Sequence, residues 1–356
     1  MRQVWITRKG ESSTLEVRET SSPVPGPGRV KVRVEAAGVN FADVMMRRGL
    51  YPDAPSLPAV PGYEIAGEVA AVGEGVEPDL VGQPVVAMCH FGGYSEEICL
   101  PRGLVWRRPA GLDAITAAAL PVNYLTAWQM VRVMAPVFTG DTVLVHSAAG
   151  GVGQAVIQLC RLAGATVIGS ASPAKHERLR EQGLAYVFDS QASGFAAGVQ
   201  AATGGRGVDV ALEPRHGHWI MESYRSLDKC GRLVLFGFSG AARGRDSGTL
   251  SALRTLARVP WLQLNPIRLM NDNKSMGGVN LGRMWDRPAR TAAWVEQLLS
   301  LQVAGDIAPV IDRVLPFSAA AEAHDRLEMR QNVGKVILVP DRLHAGGAVQ
   351  EEAHSP

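Results

Sequence analysis

The stretch Asp141 to Gly164, DTVLVHSAAGGVGQAVIQLCRLAG, limits the fold more than any other part of the chain. It reads as a buried strand over Thr142–His146, a small-residue turn at Ala149, Gly150 and Gly151, and an amphipathic helix closed by Gly164. That order is what a dinucleotide-binding corner requires. The turn must be tight, the backbone must come close to a pyrophosphate, and the helix must start with free N–H groups aimed at the anion. Gly150 and Gly151 permit the turn and the approach, Val152 enters the helix, and Gly153 lets the helix pack on the strand. Ala148 stands where such a turn usually has its first glycine. A strand-turn-helix corner without a ligand uses the same pieces.

With 356 residues the chain is long enough for two domains. Its 36 basic and 34 acidic residues leave a net charge of +2, which makes no case for nucleic acid or an anionic membrane. Cys89, Cys99, Cys160 and Cys230 form no close-spaced pair, which argues against a structural zinc site and a disulfide framework. A reducing cytoplasm is the expected location, because the N-terminus MRQVWITRKGESS has no apolar run of signal-peptide length. Ala114 to Val131 is free of charges, but Pro121, Asn123, Thr126 and Gln129 interrupt it, so it belongs inside a protein rather than across a bilayer.

Up to about Pro109 the pattern is one of short strands and turns. VKVRVEAAGV (Val30 to Val39) alternates before running apolar, and IAGEVAAVG (Ile65 to Gly73) and QPVVAMC (Gln83 to Cys89) are two further strands. After residue 140 strands alternate with helices: TVIGS from Thr166, a helix capped by Ser172 and stopped at Gly183, YVFDS from Tyr186, VDVALE from Val208 and RLVLFGF from Arg232. Crossovers of that length suit a parallel sheet. Residues 240–290 are less regular, with Arg243, Arg245, Trp261 and Trp285 prominent and SMGGVNL (Ser275 to Leu281) reading as a late strand. VIDRVLP and VGKVILV are the last strands, and residues 341–356 are expected to form a mobile tail.

A β domain followed by a dinucleotide fold resembles the medium-chain dehydrogenase/reductases, and within them the zinc-independent quinone oxidoreductases. The likeness rests on AAGVNFADVMMRRGLYP, PGYEIAGEVAAVGEGV, ALPVNYLTAW, the glycine turn and NVGKVILV. LVHSAAGGVG, QLCR and SASPAKHE point to the branch of the vesicle amine transport protein homologues. The resemblance implies an α/β protein: a GroES-like, mostly β catalytic domain plus a Rossmann, doubly wound parallel-sheet nucleotide domain. The catalytic domain is then residues 1–122 completed by 308–340, the nucleotide domain is 123–307, and a homodimer joins through the SMGGVNL strand.

Zinc-dependent members of that family place a cysteine where this chain has Asn40 and a histidine where it has Tyr63, and neither replacement is a usual zinc ligand. Without a Lewis acid, hydride delivery suits a quinone or an α,β-unsaturated carbonyl, whose negative charge spreads to an oxygen that a modest donor can hold. A biosynthetic enoyl or polyketide-like intermediate is a variant of that acceptor. By resemblance Asn40 reaches toward the nicotinamide ribose and Tyr51 stands near the reacting carbon, where it can donate a proton or only line the cleft. Asn40 can equally be a turn asparagine. Asp43 reads as a helix-start residue that supports Asn40.

At the end of the second nucleotide-domain strand there is no carboxylate for a ribose. Ser170, Ser172 and Lys175 instead suit a 2′-phosphate, so NADPH is the expected cofactor. Many quinone reductases carry a tyrosine near this phosphate where this chain has Ser190. Thr126 and Asn123 contact the nicotinamide end or cap a helix. Phe236, Gly237 and Phe238 end a strand beside it, and Asn332 and Lys335 close over the cofactor. Arg215, His216 and His218 reshape the site or form a solvated loop, with the solvated loop favoured. His90 faces the cleft or is merely exposed, His146 is a satisfied core residue, and Cys89 is a candidate thiol. A lipid-binding or transfer protein is the alternative reading, since LRTLARVPWLQLNPIRLM (Leu253 to Met270) mixes cationic and apolar residues.

Overall fold

The computed structural model of the chain describes residues 1–192, 194–215, 217–237 and 266–346. His216, Phe238, Arg243, Arg245, Trp261 and most of the Leu253–Met270 stretch therefore lie outside the described residues.

The chain opens with an antiparallel pair, β1 (Arg2–Ile6) and β2 (Leu15–Glu19). β3 (Arg29–Val39) follows and runs into helix α1 (Phe41–Arg47). Val30, Val32 and Val34 of β3 are buried while Arg33 is exposed, as alternation requires. From Ala36 to Val39 every residue is buried, because the strand is covered on both faces. Next come β4 (Glu64–Val72), β5 (Pro84–Met88), β6 (Glu97–Pro101) and β7 (Val105–Arg107). Helix α2 (Ala114–Ala118) packs on β3 and β4, and α3 (Pro121–Trp128) leads to the second half.

Strands and helices then alternate: β8 (Thr142–His146), α4 (Gly151–Leu162), β9 (Thr166–Ala171), α5 (His176–Glu181), β10 (Tyr186–Asp189) and α6 (Phe195–Ala202). β11 (Val208–Glu213), α7 (His218–Arg225), β12 (Leu227–Phe236), α8 (Pro266–Asp272) and β13 (Ser275–Val279) complete the layer. The six strands make one parallel sheet in the order β10-β9-β8-β11-β12-β13. This is a doubly wound order, and its direction of progression reverses between β8 and β11.

After α9 (Pro288–Ala304) the chain returns to the first sheet with β14 (Ile311–Pro316), α10 (Ala320–Glu328) and β15 (Lys335–Val339). β15 pairs antiparallel with β3, setting Val336 opposite Val39. The first sheet reads β14-β15-β3-β4-β5-β7, with β6 also on β3. The molecule is thus a two-domain α/β protein with a GroES-like β domain and a Rossmann-like parallel sheet. A continuous apolar core joins the two through α2 and α3, with Met88 and Tyr124 buried in the same cluster as Val145 and Val156.

Two expectations change. The tail expected from residue 341 begins as a short helix, α11 (Asp341–Gly346), whose first carboxylate accepts a bond from the Ser318 amide at 3.3 Å. Ser172 precedes a single 3₁₀ turn (Pro173–Lys175) before α5, and its hydroxyl makes no capping bond.

Helix α10 carries a fully buried histidine, His324. Its Nε2 is 3.4 Å from the Tyr94 hydroxyl and its Nδ1 has no partner. Burial, helped by the Arg47 charge, pushes its pKa down from 6.5 to about 3. Between those values the unfolded chain binds a proton that the folded chain refuses, so stability falls as pH drops through that window. At pH 5, unfolding of the wild type is expected to take up about one proton more than unfolding of His324→Gln. Calorimetry in two buffers of different ionisation enthalpy measures this, and equal uptake would contradict a buried neutral imidazole.

Candidate active site between the two sheets

The glycine turn leaves the C-terminal end of β8 at the point where the sheet order reverses. A Cβ at Gly153 would lie 2.5 Å from the Ser147 carbonyl oxygen and 2.6 Å from that of Ala148, so only glycine lets α4 sit this close to the strand end. The left-handed residue of the turn is Ser147, at φ 55°. Gly150 is extended, and a Cβ at Gly151 would lie 2.2 Å from the side-chain amide of Asn123 and displace it. Val152 is half-buried in the first turn of α4. Its amide and those of Gly151 and Gly153 open the helix, where no intrahelical carbonyl reaches them. The corner fits the pyrophosphate of a dinucleotide.

A second segment lies against this turn. The Gly334 amide donates to the Ala149 carbonyl at 2.8 Å, and Asn332 Nδ2 donates to the Gly334 carbonyl at 2.8 Å. Lys175 Nζ donates to the carbonyls of Arg330 and Asn332, both at 2.6 Å. Ala149, Gly150, Lys175 and Asn332 are thereby brought to one edge. Phe236 packs partly buried on the core at the end of β12, and Gly237 follows at φ 59°.

Beneath the same strand ends lies a buried polar network. His146 Nδ1 is 2.8 Å from the Ser170 hydroxyl and 2.9 Å from Arg215 Nη2. A guanidinium can only donate, so Nδ1 accepts and the imidazole proton sits on Nε2, near Ser223 and Glu213. Burial pushes His146 down to about 4, so it is neutral at neutral pH. Against the effect of burial, the His146 and Arg215 groups and the Ser223 bond hold the Glu213 carboxyl at about 2. Two readings are corrected here. Ser170 spends its hydroxyl on His146 rather than facing a ligand, and Arg215 is no solvated loop residue. Arg215 bonds Glu213 at 2.8 Å and lies over the Trp219 ring at 4.1 Å. His146 is the satisfied core histidine that its strand position suggested. His218 is exposed, with its ring against Trp219.

Asn40 and Lys335 belong to a third cluster, organised by Glu64. Asn40 Nδ2 donates to Glu64 Oε1 at 2.8 Å, Lys335 Nζ donates to Asn40 Oδ1 at 2.7 Å, and the Lys335 ammonium also contacts Glu64 Oε1. The Val122 amide donates to Glu64 Oε2 at 2.7 Å. Glu64 is fully buried, and a Cβ at Gly38 would lie 2.5 Å from its Oε1, so the glycine makes room for the carboxylate. Sequence reasoning missed Glu64, although a carboxylate leading the apolar run EIAGEVAAV was a visible signal. Asp43 does support Asn40: its Oδ2 accepts from the Asn40 backbone N–H at 2.8 Å and from the Tyr94 hydroxyl at 3.0 Å. Its Oδ1 accepts from the Gly62 amide at 2.8 Å. Burial raises Asp43 to about 7 despite these bonds.

Tyr51 stands in an aromatic group with Tyr63, its ring 5.9 Å away, and Phe91 at 6.5 Å. His90 continues the group, exposed and 5.1 Å from Trp285 on the parallel-sheet side. A Cβ at Gly282 would lie 2.7 Å from the Tyr51 hydroxyl, so the Leu281–Arg283 turn that follows β13 comes up against that phenol. Burial raises the Tyr51 phenol above its ordinary value. Cys89 is fully buried and its thiol is pushed well up by burial, so it is not a reactive thiol. Thr126 turns its hydroxyl to the Val122 carbonyl at 2.7 Å, and Asn123 packs on Gly151; neither caps α3, whose N-cap is Leu120.

Position 40 offers an amide already spent on Glu64 and Lys335, and position 63 a protonated phenol, so neither fits a zinc ligand. Among the described residues no three His, Cys, Asp or Glu side chains group closely enough to hold a metal ion.

The description of the alcohol dehydrogenase GroES-like domain matches residues 26–110, and that of the zinc-binding dehydrogenases matches residues 182–338. The human synaptic vesicle membrane protein VAT-1 homolog is 37% identical over 329 residues, spanning 92% of this chain and 82% of that protein. The chain belongs to the medium-chain dehydrogenase/reductase family. Its fold is that of an oxidoreductase family. Among solved structures, the CurK enoyl reductase matches with a TM-score of 0.81 at 27% identity, covering 95% of this chain and 99% of that one. A mycobacterial protein complexed with NADPH matches with a TM-score of 0.82 at 31% identity, covering 96% and 100%.

The Glu64 cluster makes a direct prediction for this dehydrogenase/reductase. Lys335→Met leaves a buried carboxylate without its cation and is expected to cost about 3–5 kcal/mol. Adding Glu64→Gln should recover a large part of that loss. Urea unfolding measures both, and additive losses would contradict a coupled pair.

Proposed function

We propose that the protein is an NADPH-dependent, zinc-independent reductase that transfers hydride to a quinone or an α,β-unsaturated carbonyl. The observation that carries this reading is the Tyr51 phenol, set in an aromatic cleft and facing Gly282 beyond the parallel sheet. When bound, a reduced nicotinamide supplies a hydride to the acceptor's β-carbon. The residues of the chain then have three tasks. The glycine turn and the Asn332–Gly334 segment hold the dinucleotide, Asn40 faces the nicotinamide ribose while Glu64 and Lys335 fix its amide, and Tyr51 gives its proton to the enolate. A quinone spreads the charge over its own oxygens and can take its second proton from water.

Ser172 and Lys175 at the end of β9 support NADPH over NADH, and Asp189 on the neighbouring strand turns its carboxylate to the Gln191 amide at 2.9 Å. Lys175 has to leave two carbonyls to reach a 2′-phosphate. The domain division that goes with this reading is 1–122 with 308–340, and 123–307 between them. A homodimer through β13, the end strand of its sheet, completes it.

NADPH oxidation against a panel of quinones, enones and enoyl thioesters tests the reading. Turnover is expected with at least one class, with NADPH favoured over NADH by about tenfold or more in kcat/KM, the worth of one charge-assisted bond. Lys175→Gln should reduce that preference by about tenfold. Tyr51→Phe should lose about a hundredfold more on enones than on quinones. Equal or better turnover with NADH would contradict the cofactor assignment, and inertness toward the whole panel would contradict the reaction.

A further inference from the structure

Tyr63 is only 5% exposed, yet its hydroxyl is buried with no hydrogen-bond partner. A buried phenol without a partner lowers stability, so a well-packed fold has no structural reason to keep that oxygen. Its surroundings are firmly built. The Tyr63 carbonyl accepts from the Cys89 amide at 2.7 Å, the preceding Gly62 amide is held by Asp43, and the ring lies 5.1 Å from Phe91. The Tyr51 ring stands edge-on to that of Tyr63 with centroids 5.9 Å apart, and the two hydroxyls do not meet hydrogen-bond geometry in this state.

We infer that Tyr63 is a positioning residue whose hydroxyl donates to the Tyr51 oxygen as Tyr51 gives up its proton. The inference rests on the reductase reading above. In that step the hydride forms a C–H bond at the β-carbon, the C=C electron pair passes to the enolate, and the Tyr51 O–H bond breaks as its proton goes to the enolate. Tyr51 is left a phenolate until water reprotonates it, and a phenolate in a half-buried cleft needs a donor.

The chain fixes which of the two phenols plays which part. Tyr63 is the more buried, and the Asp43 carboxylate is held on the amide of its neighbour Gly62. Both features oppose a negative charge on Tyr63, so it keeps its proton and remains the donor. Tyr51 lies nearer Gly282 and is half-exposed, where it meets the acceptor and exchanges with water. The position that holds a zinc-ligating histidine in zinc-dependent relatives thus becomes a proton-holding phenol in this chain.

The test reads the ionisation of residue 51 directly. With 3,5-difluorotyrosine at position 51, ¹⁹F NMR follows its titration in the full chain, with Tyr or Phe at position 63. Tyr63→Phe is expected to move the midpoint up by about one unit, because the phenolate loses its donor. The same substitution should leave the melting temperature unchanged or higher, since it removes an unsatisfied oxygen. Enone turnover should fall about tenfold relative to quinone turnover, the equivalent of one pKa unit. An unmoved midpoint would overturn the role of Tyr63, whatever the turnover. A moved midpoint in a protein inert toward every acceptor would support the phenol pair and refute the reductase reading, which keeps the two failures distinct.

Discussion

Glu64 is a carboxylate with no access to water, and satisfying it ties together four separated parts of the chain. Asn40 comes from the end of β3, Lys335 from the start of the last strand, and the Val122 amide from the helix leading into the parallel sheet. Glu64 itself begins β4. A buried charge is tolerated only when paired and hydrogen-bonded, so the cluster forms only if β15 finds its place beside β3. Glu64 therefore makes the return of the C-terminal strands a condition of the native fold. The same cluster fixes the Asn40 amide, which joins the energetics of folding to the geometry of the site.

The site is layered. At the bottom, beneath the ends of β8, β9 and β11, the His146, Ser170, Glu213 and Arg215 network satisfies every charge internally and sets a rigid floor. Above it, the glycine turn and the Asn332–Gly334 segment face each other. Farther out, on the β domain, Tyr51 stands beside Tyr63, the residue matched to a zinc-ligating histidine of zinc-dependent relatives. In the proposed reading the phenols take the place of the metal: a conjugated acceptor distributes its charge and needs a donor, whereas an alkoxide needs a Lewis acid.

The architecture was legible because it depends on local signals. The apolar run of β8, the glycines after it and the periodic helix beyond appear in sequence as they do in space, and the alternation of β3 marks its wet face. Partnerships between distant residues were less legible. Lys175 and Lys335 both read in sequence as lysines for a cofactor, yet one bonds backbone carbonyls and the other a buried carboxylate. Ser170 and Ser172 look equivalent in GSAS, but Ser170 lies inside β9 and meets the buried His146, whereas Ser172 lies past the end of the strand. Arg215 followed a strand end in a polar stretch, and only the fold sets Trp219 and Glu213 around it. Tyr63 was recognised for the histidine it replaces rather than for what its hydroxyl can do.

Isotope transfer tests the central claim most directly. The protein is incubated with NADPH carrying deuterium at both positions of the reactive nicotinamide carbon and an acyclic enone, and the product is analysed by mass spectrometry and NMR. The account predicts one deuterium, at the β-carbon and on a single face, with the α-hydrogen drawn from an exchangeable source. Product without label, or label scattered over both positions, would contradict direct hydride transfer in this site.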